Sequence, residues 1–358
     1  MLAQMSRPQD GNRPNTLAEP GRGMSSLTSI EICAGAGGQA LGLEQAGFEH
    51  LAAVEIDPWA AETLRANRPH WNVVGPRPGD RPPFDGGPGD VKAFSATDFK
   101  GRVDLLAGGV PCPPFSKAGM QLGANDERDL FPEALRLVRE CEPSAVMLEN
   151  VRGLLDPKFD GYRAEIESEL RSLGYVPRWK LLHASAYGVA QLRPRALLVA
   201  LRPDAAELFG WPAEDHLSAR TVGETLVDLM AANGWERAED WARRANRIAP
   251  TLVGGSKKHG GPDLGPTRAK RAWAELGVDG LGVANDAPRR GFEGMPRLTV
   301  RMTARLQGFP DDWTFAGGKT AQYRQVGNAF PPPVARAVGA ALCAAVERAE
   351  RQTRSLAA

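Results

Sequence analysis

Short runs of strand-forming residues alternate with helical stretches from Leu27 to about Leu201. Strands that recur between helices form a parallel sheet, because each helix carries the chain back to the edge where the next strand begins. The sequence therefore predicts an α/β fold with a doubly wound, mostly parallel sheet. The five predicted strands are Thr28–Ile32, His50–Val54, Val103–Ala107, Ala145–Leu148 and Ala196–Ala200.

The rest of the chain has a different character. Gly and Pro interrupt it, and regular periodicity weakens up to about Pro296. After a triple proline, Ala, Val and Leu recur at helical spacing from Pro333 to Arg351, which predicts an amphipathic helix that returns to the first domain. We predict a disordered tail (1–26), a large first domain (27–201), a smaller, irregular second domain (202–318) and a returning C-terminal segment (319–358).

Charge and cysteine content limit the classes of protein to consider. The chain has 44 basic and 43 acidic residues and a net charge of +1, so any site for a polyanion must be local. The four cysteines lie far apart, without a CxxC pair or a histidine at zinc-ligand spacing, which indicates neither a disulfide framework nor a metal site. A reducing, cytoplasmic compartment fits this usage. No signal peptide and no membrane-spanning stretch is predicted.

A glycine-rich turn, Glu31–Leu41, follows the first predicted strand and opens a helix. Such turns bind nucleotide-like ligands at the carboxyl edge of an open sheet, since glycine lets the backbone approach the ligand closely. Glu55, after the second strand, can accept hydrogen bonds from ribose hydroxyls, and Asp90 can accept one from an adenine amino group. No Gly-Lys-Ser/Thr follows the turn, which counts against a P-loop. The pattern favours an adenosyl cofactor without a phosphate chain, with solvated loop acids as the alternative.

Cys112 lies in a proline-bounded loop, Gly108–Ser116, directly after the third predicted strand. A cysteine thiolate is a strong nucleophile near neutral pH, although a lone cysteine is more often a packing residue. Glu149 and Asn150 close the fourth strand at the same edge of the sheet, where an acid can protonate a ring nitrogen. The loop and this strand end together predict nucleophilic catalysis.

Gln191, Arg193 and Arg195 alternate along the chain, so they face one side of an extended segment. Guanidinium groups there can orient a carbonyl oxygen of a base and favour the thiolate form of Cys112. A structural network of ion pairs with Glu149 is the alternative interpretation.

Six motifs occur in the order found in bacterial DNA (cytosine-5) methyltransferases, and the chain resembles that family from Leu27 to about Ala340. The motifs are Cys33–Gly38, the Pro111-Cys112 loop, Glu149-Asn150-Val151, Gln191–Arg195, Arg305–Pro310 and Gln325–Ala329.

The resemblance implies that Cys112 adds to carbon 6 of a cytosine flipped out of double-stranded DNA, that Glu149 supports the addition at nitrogen 3, and that Arg193, beside Arg195, steadies the adduct. Carbon 5 then takes the methyl group of S-adenosyl-L-methionine, and Asn150 orders the catalytic loop. The cofactor site that the resemblance implies consists of Cys33, Ala34, Gly35, Gly37, Gly38, Glu55, Ile56, Asp90, Val91, Pro111, Leu130 and Asn328.

The second domain would be the target-recognition domain by the same resemblance. From Arg243 to Arg271 the cations outnumber the single acid, Asp263, which predicts a local basic surface for DNA. Solvated surface charges are the alternative. The residues that we expect to contact DNA are Ser116, Gln191, Thr251, Ser256, Lys257, Lys258 and Arg268.

Three positions differ from the family pattern: Cys33 replaces the usual phenylalanine, Pro113 a frequent glutamine and Met302 a common glutamate. No catalytic group is lost. We expect a monomer that acts on double-stranded DNA in the bacterial cytoplasm, associated with the nucleoid and paired with a cognate restriction endonuclease, without metal or membrane. The alternatives are a tRNA cytosine-5 methyltransferase, favoured by a reduced second domain, and a catalytically silent DNA-binding relative, which would have lost Cys112, Glu149 or the glycine turn.

Overall fold

A computed structural model describes residues 26–111, 129–215, 219–254 and 261–357. The seven strands form one sheet in the order β3-β2-β1-β4-β5-β7-β6, in which β7 runs antiparallel to both of its neighbours and the other pairs are parallel. The mostly parallel α/β fold is therefore confirmed. The strands are β1 (Leu27–Ile32), β2 (Phe48–Val54), β3 (Val73–Val74), β4 (Leu105–Gly108), β5 (Ala145–Val151), β6 (Val176–His183) and β7 (Pro194–Leu201).

The five predicted strands all form, within a few residues of the predicted ends. The two that the sequence did not predict, β3 and β6, lie at the two edges of the sheet. β3 has only two residues, and β6 carries Pro177, Arg178 and Lys180 on a half-buried ribbon. An edge strand has one free side, so it needs neither the length nor the apolar content by which buried strands are recognised.

Helices cover both faces of the sheet, and a second group of helices forms its own core. The helices are α1 (Gly38–Gln45), α2 (Pro58–Asn67), α3 (Phe131–Cys141), α4 (Asp160–Ser172), α5 (Pro203–Leu208), α6 (Val222–Ala231), α7 (Ala238–Arg244), α8 (Thr267–Glu275), α9 (Val300–Gln307), α10 (Lys319–Asn328) and α11 (Pro332–Ala357).

The C-terminal helix α11 packs against α1, as the sequence predicts. Gly42 permits the close approach, because a Cβ there would lie 2.4 Å from the carbonyl oxygen of Pro332. The stretch Lys319–Leu356 is long and apolar enough to cross a membrane, contrary to our expectation, but 61% of its most apolar window is buried inside the protein. Its apolar residues therefore belong to the core.

The second core lies around Trp235, Trp241 and Trp273 and includes α6 and α9. Met302, one of the departures from the family pattern, is buried in it. The Met302 sulfur accepts a hydrogen bond from the backbone N–H of Thr299, and the Thr299 hydroxyl accepts one from the N–H of Met302. The methionine thus completes a capping box at the start of α9 and also adds apolar contact.

Candidate active site

The turn after β1 adopts left-handed backbone conformations at Cys33 (φ 51°), Gly35 (φ 55°) and Gly37 (φ 84°). Glycine takes this conformation at little cost, whereas Cys33 is an uncommon case of a side chain held there. The N–H of Ala34 donates to the carbonyl oxygen of Val54, at 3.1 Å. The turn is therefore fixed against the end of β2.

Glu55 joins this turn to the start of α2. One carboxylate oxygen accepts the N–H of Gly35 and the other accepts the N–H of Asp57, both at 2.7 Å. A Cβ on Gly75 or Gly89 would lie 2.3 or 2.2 Å from the carbonyl oxygen of Glu55. The Gly/Pro-rich excursion after β3 thus supports the site through close backbone packing, which the sequence does not predict.

The turn borders a cavity of about 400 Å³ at the carboxyl edge of the sheet. Seven of the predicted cofactor residues line it: Cys33, Ala34, Gly35, Gly38, Glu55, Ile56 and Asn328. Their assembly from the two ends of the chain follows from the return of α10 and α11 to the first domain.

Five other predicted cofactor residues, Gly37, Asp90, Val91, Pro111 and Leu130, are not among the described lining residues. A Cβ on Gly37 would lie 2.7 Å from Leu64, so this glycine serves packing between helices. Asp90 accepts the N–H of Gly86 at 2.6 Å and that of Lys92 at 3.0 Å. Burial, and then the charges of Glu55, Glu31 and Asp90, raise the pKa of the Cys33 thiol, which disfavours its thiolate form.

Two cavity residues that the predicted cofactor site does not include have buried polar atoms without a partner among the described residues. They are Oε2 of Glu31 and both side-chain amide atoms of Gln39. Burial is the main cause that raises the pKa of Glu31. Unpaired buried groups beside a cavity fit a polar ligand that completes their hydrogen bonds. Their signal in the sequence is a polar residue at a position where the pattern of the strand or helix calls for an apolar one.

Glu149 reaches the same cavity from the end of β5. Its carboxylate pairs with Nε of Arg195 at 2.7 Å. Burial raises the pKa of Glu149, and the charges of Arg195 and Arg193 oppose that rise. A carboxyl that retains its proton more readily than usual can donate to a ring nitrogen.

Arg193 and Arg195 play different parts, although both lie on the predicted side of the segment. The Arg193 guanidinium is fully buried and donates to the carbonyl oxygens of Leu252 (2.8 Å), Gly327 (2.8 Å) and Ala329 (2.9 Å). The resemblance assigns the steadying of the adduct to Arg193, but its two terminal nitrogens donate to these carbonyls, and only its buried Nε has no partner among the described residues. The structure places Arg195 beside Glu149 instead.

Asn150 lies next to Glu149 and holds the start of the catalytic loop. Its side-chain N–H donates to the carbonyl oxygen of Val110 at 2.8 Å, and its Oδ1 accepts the N–H of Val151 at 2.8 Å. Cys112 itself, with Pro113 and Ser116, lies outside the described residues.

Gln191 is predicted from the sequence to contact DNA, and the structure contradicts this. Its side chain is 0% exposed, and its amide bonds to the Gln307 side chain at 2.6 Å and to the N–H of Leu252 at 2.8 Å. A buried, satisfied amide has no donor left for a base. The hydroxyl of Thr251 donates to the carbonyl oxygen of Leu192.

The basic segment between Arg243 and Arg271 is partly neutralised. Lys257, Lys258 and Ser256 lie outside the described residues. Arg268 and Arg271 are exposed and form no ion pair within the described ranges. Three other cations of the segment are paired: Arg243 with Asp240, Arg247 with Glu275 at 3.0 Å, and Lys270 with Asp263 at 2.7 Å.

The amino-acid sequence is similar to those of known DNA methyltransferases. The model of the C-5 cytosine-specific DNA methylase family matches residues 27–344. The chain is 58% identical to the type II methyltransferase M.NaeI of Lentzea aerocolonigenes, over 90% of this chain and 76% of that protein. It is 55% identical to the type II methyltransferase M.NgoMIV of Neisseria gonorrhoeae, over 90% and 99%.

Solved structures share the fold. A putative DNA modification methyltransferase from an Escherichia coli prophage superposes with a TM-score of 0.60 at 22% identity, covering 90% of this chain and 100% of that one. Spodoptera frugiperda DNMT2 gives a TM-score of 0.60 at 17% identity, covering 89% and 100%.

Proposed function

Since the chain belongs to the C-5 cytosine-specific DNA methylase family, we propose that it methylates carbon 5 of a flipped-out cytosine in double-stranded DNA through a covalent bond to Cys112. The observation that carries this proposal is one shared cavity. Glu149, whose pKa burial raises, lines it together with the glycine turn and Glu55. A base that reaches Glu149 therefore meets the cofactor site directly.

S-adenosyl-L-methionine is the cofactor that fits the cavity. The left-handed turn leaves open space at Gly35, and the buried groups of Glu31 and Gln39 have bonding capacity to offer. When bound, this cofactor supplies a methyl group activated by the adjacent positive sulfur. The turn, Glu55 and Asn328 would hold it.

The chain's own residues account for the chemistry at the base. The Cys112 thiolate adds to carbon 6, and Glu149 donates a proton toward nitrogen 3, which takes up the negative charge that develops in the ring. The electron pair then moves to carbon 5, which would take the methyl group of the bound cofactor, with the broken bonding pair left on the cofactor's sulfur. The proton at nitrogen 3 returns to Glu149. Loss of the carbon-5 proton to water then forms the C5=C6 double bond, and the pair of the C6–S bond returns to the Cys112 sulfur and releases it.

Arg195 assists this sequence by holding Glu149 in place at 2.7 Å and by presenting a positive charge at the edge of the sheet. Asn150 fixes the backbone from which the loop of Cys112 departs. Arg193 anchors the C-terminal segment and the second domain to β7 through its three carbonyl contacts.

The second core, with α6 to α9, is proposed as the target-recognition domain, and the sheet with α10 and α11 as the catalytic domain. Relatives named type II methyltransferases support a role beside a cognate restriction endonuclease in the cytoplasm. Chemistry on one base at a time requires one copy of the site, so a monomer suffices.

The test is covalent trapping on a long DNA duplex that contains 5-fluorocytosine in place of cytosine. After methyl transfer carbon 5 has no proton to lose, so the Cys112 bond cannot be released. We expect a protein–DNA adduct that survives denaturation, forms only with S-adenosyl-L-methionine, and is missing in Cys112→Ser. No adduct with duplex DNA, or an adduct with tRNA alone, contradicts the proposal.

A further inference from the structure

One face of α10 forms a wall of the cofactor cavity. Four residues of this helix line the cavity: Ala321, Arg324, Gln325 and Asn328. Their spacing of three, four and seven residues from Ala321 places them on one side of a helix. The spacing of these four residues therefore identifies the side of α10 that faces the cavity.

Two of these four side chains are available to a ligand. Ala321 has no polar group. Gln325 is occupied, since its carbonyl accepts the Thr63 hydroxyl at 2.6 Å and its N–H donates to the carbonyl oxygen of Ala316 at 2.8 Å. Arg324 and Asn328 lie one turn apart, so their side chains can converge on one group. Within the described residues neither forms a side-chain hydrogen bond or ion pair.

The charges around the cavity are strongly unequal. Its acidic lining residues are Glu31, Glu55, Asp57 and Glu149, and among the described lining residues Arg324 is the single cation. Burial favours the protonated form of Glu31, and Glu149 is already paired with Arg195. An anionic group on a ligand is therefore repelled mainly by Glu55 and Asp57, and its one positive partner among the described lining residues is Arg324 on α10. A guanidinium with a neighbouring amide donor suits a carboxylate, which accepts several hydrogen bonds.

We propose that Arg324, together with Asn328, binds the carboxylate at the amino-acid end of the cofactor and so selects cofactors that carry this group. The inference rests on the proposed function, because it takes S-adenosyl-L-methionine to occupy the cavity. Arg324 thus determines which end of the cofactor lies against α10. The acidic residues of the cavity would then lie nearer to the positively charged sulfur and ammonium groups of the cofactor.

Arg324 also borders a neighbouring groove that contains Trp59, Phe84 and Lys319. A DNA phosphate in that groove is the competing occupant. Lys319 lines this groove and is not among the described residues lining the cofactor cavity. Lys319→Leu is therefore a matched control. It also removes one positive charge from α10, but from a residue that borders the neighbouring groove and not the described wall of the cofactor cavity.

The experiment is calorimetric binding of two ligands to the full-length protein at constant ionic strength. S-adenosylhomocysteine keeps the amino-acid end, and 5′-deoxy-5′-methylthioadenosine lacks it. We expect Arg324→Leu to weaken S-adenosylhomocysteine about 10- to 100-fold, the effect of one lost hydrogen-bonded charge pair. Binding of methylthioadenosine should not change, Arg324→Lys should recover part of the loss, and Lys319→Leu should match the wild type.

Equal weakening of both ligands, or of neither, in Arg324→Leu overturns the proposal. So does a variant that binds S-adenosylhomocysteine normally but binds DNA more weakly, because Arg324 then serves a phosphate. Retained methylthioadenosine binding shows that each variant is folded. If the wild-type protein binds neither adenosyl ligand, the proposed function itself is wrong. The wild-type measurement therefore distinguishes a failure of the proposed function from a failure of the role given to Arg324.

Discussion

The carboxyl edge of the sheet and the basic segment between Arg243 and Arg271 are both rich in charged residues, yet the sequence motifs predicted the two unequally well. At the sheet edge, Glu55, Glu149 and Asn150 lie where the ends of their strands placed them. In the basic segment, Arg243, Arg247 and Lys270 are paired with acids.

Backbone topology can therefore be predicted from the sequence more reliably than the pairing of side chains. The end of a parallel strand has one location in the fold, so a side chain there is positioned by the hydrogen bonds of the sheet. Arg247 finds its partner through tertiary packing, since Glu275 lies 28 residues along the chain from it. Counting charges within a window therefore overestimates the charge that is free for DNA.

The largest effect is expected at the nucleophile, Cys112. Cys112→Ser removes the thiolate but leaves the cavity intact. We expect kcat for methylation of DNA to fall on the order of 10⁴-fold or more, with unchanged affinity for S-adenosylhomocysteine. Methyl incorporation into DNA and calorimetry measure the two quantities. Continued turnover by this variant would show that Cys112 is not the nucleophile.

Within the sheet edge, the loss of Arg195 and the loss of Arg193 should affect catalysis and stability to different degrees. Arg195→Leu removes the partner of Glu149, and we expect kcat to fall about 100-fold, the lower range for disturbed acid–base catalysis. The melting temperature should also fall, because the buried carboxyl of Glu149 loses its charged partner. Arg193→Leu removes the side-chain donor of the Leu252 and Gly327 carbonyls, at a cost of about 1–3 kcal/mol each, whereas the Ala329 carbonyl keeps the amide of Gln307. Thermal unfolding and single-turnover kinetics on the two variants measure both effects. Should Arg193→Leu fold as stably as the wild type, its anchoring role is wrong.

The third prediction concerns the basic segment. We expect the double variant Arg268→Ala, Arg271→Ala to bind DNA more weakly at all sequences. The slope of log K against log salt should fall by about 1 for each phosphate that the variant no longer binds. The matched control is Arg243→Ala, Arg247→Ala, which removes cations already paired with acids. Fluorescence anisotropy over a salt series provides the slopes. Equal slopes for the two double variants would mean that pairing in the free protein does not decide which cations serve DNA.

The smallest effect is a pH dependence of stability at Glu31. Burial raises the pKa of Glu31 well above its ordinary value of 4.5, so the folded protein binds more protons than the unfolded chain above that pH. Stability is therefore lost as pH rises from the unfolded pKa to the folded one. We expect Glu31→Gln to melt at a higher temperature than the wild type at about pH 8 and at the same temperature at about pH 4.

The control for this prediction is saturating S-adenosylhomocysteine, which should narrow the gap at high pH if it completes the hydrogen bonds of Glu31. A melting difference between Glu31→Gln and the wild type that does not vary with pH would mean that Glu31 titrates alike in the folded and unfolded states.

Much of the site could be predicted because its motifs sit at the junctions of strands and loops. The β1 turn and Glu55 follow from strand ends and glycine positions, and Asn328 follows from the return of the C-terminal segment. The sequence could not show that Arg193 and Arg195 have different roles. Alternation indicates that both side chains lie on one side of the segment, but it does not indicate how deeply each guanidinium is buried or which groups it contacts. It likewise held no indication that Gln191 is fully buried or that Gln325 is already bonded to Thr63.

By itself, then, the sequence determined the α/β class, the order of the motifs and the residue types that carry the chemistry, because these depend on periodicity and on chemical groups. Only the tertiary structure decided which arginine pairs with Glu149 and which cations are neutralised by acids. It also decided that Arg324 is the one cation among the described residues that line the cofactor cavity. Those outcomes depend on distances of a few ångströms between residues far apart in the chain, and they are set only when the helices and the second core pack against the sheet.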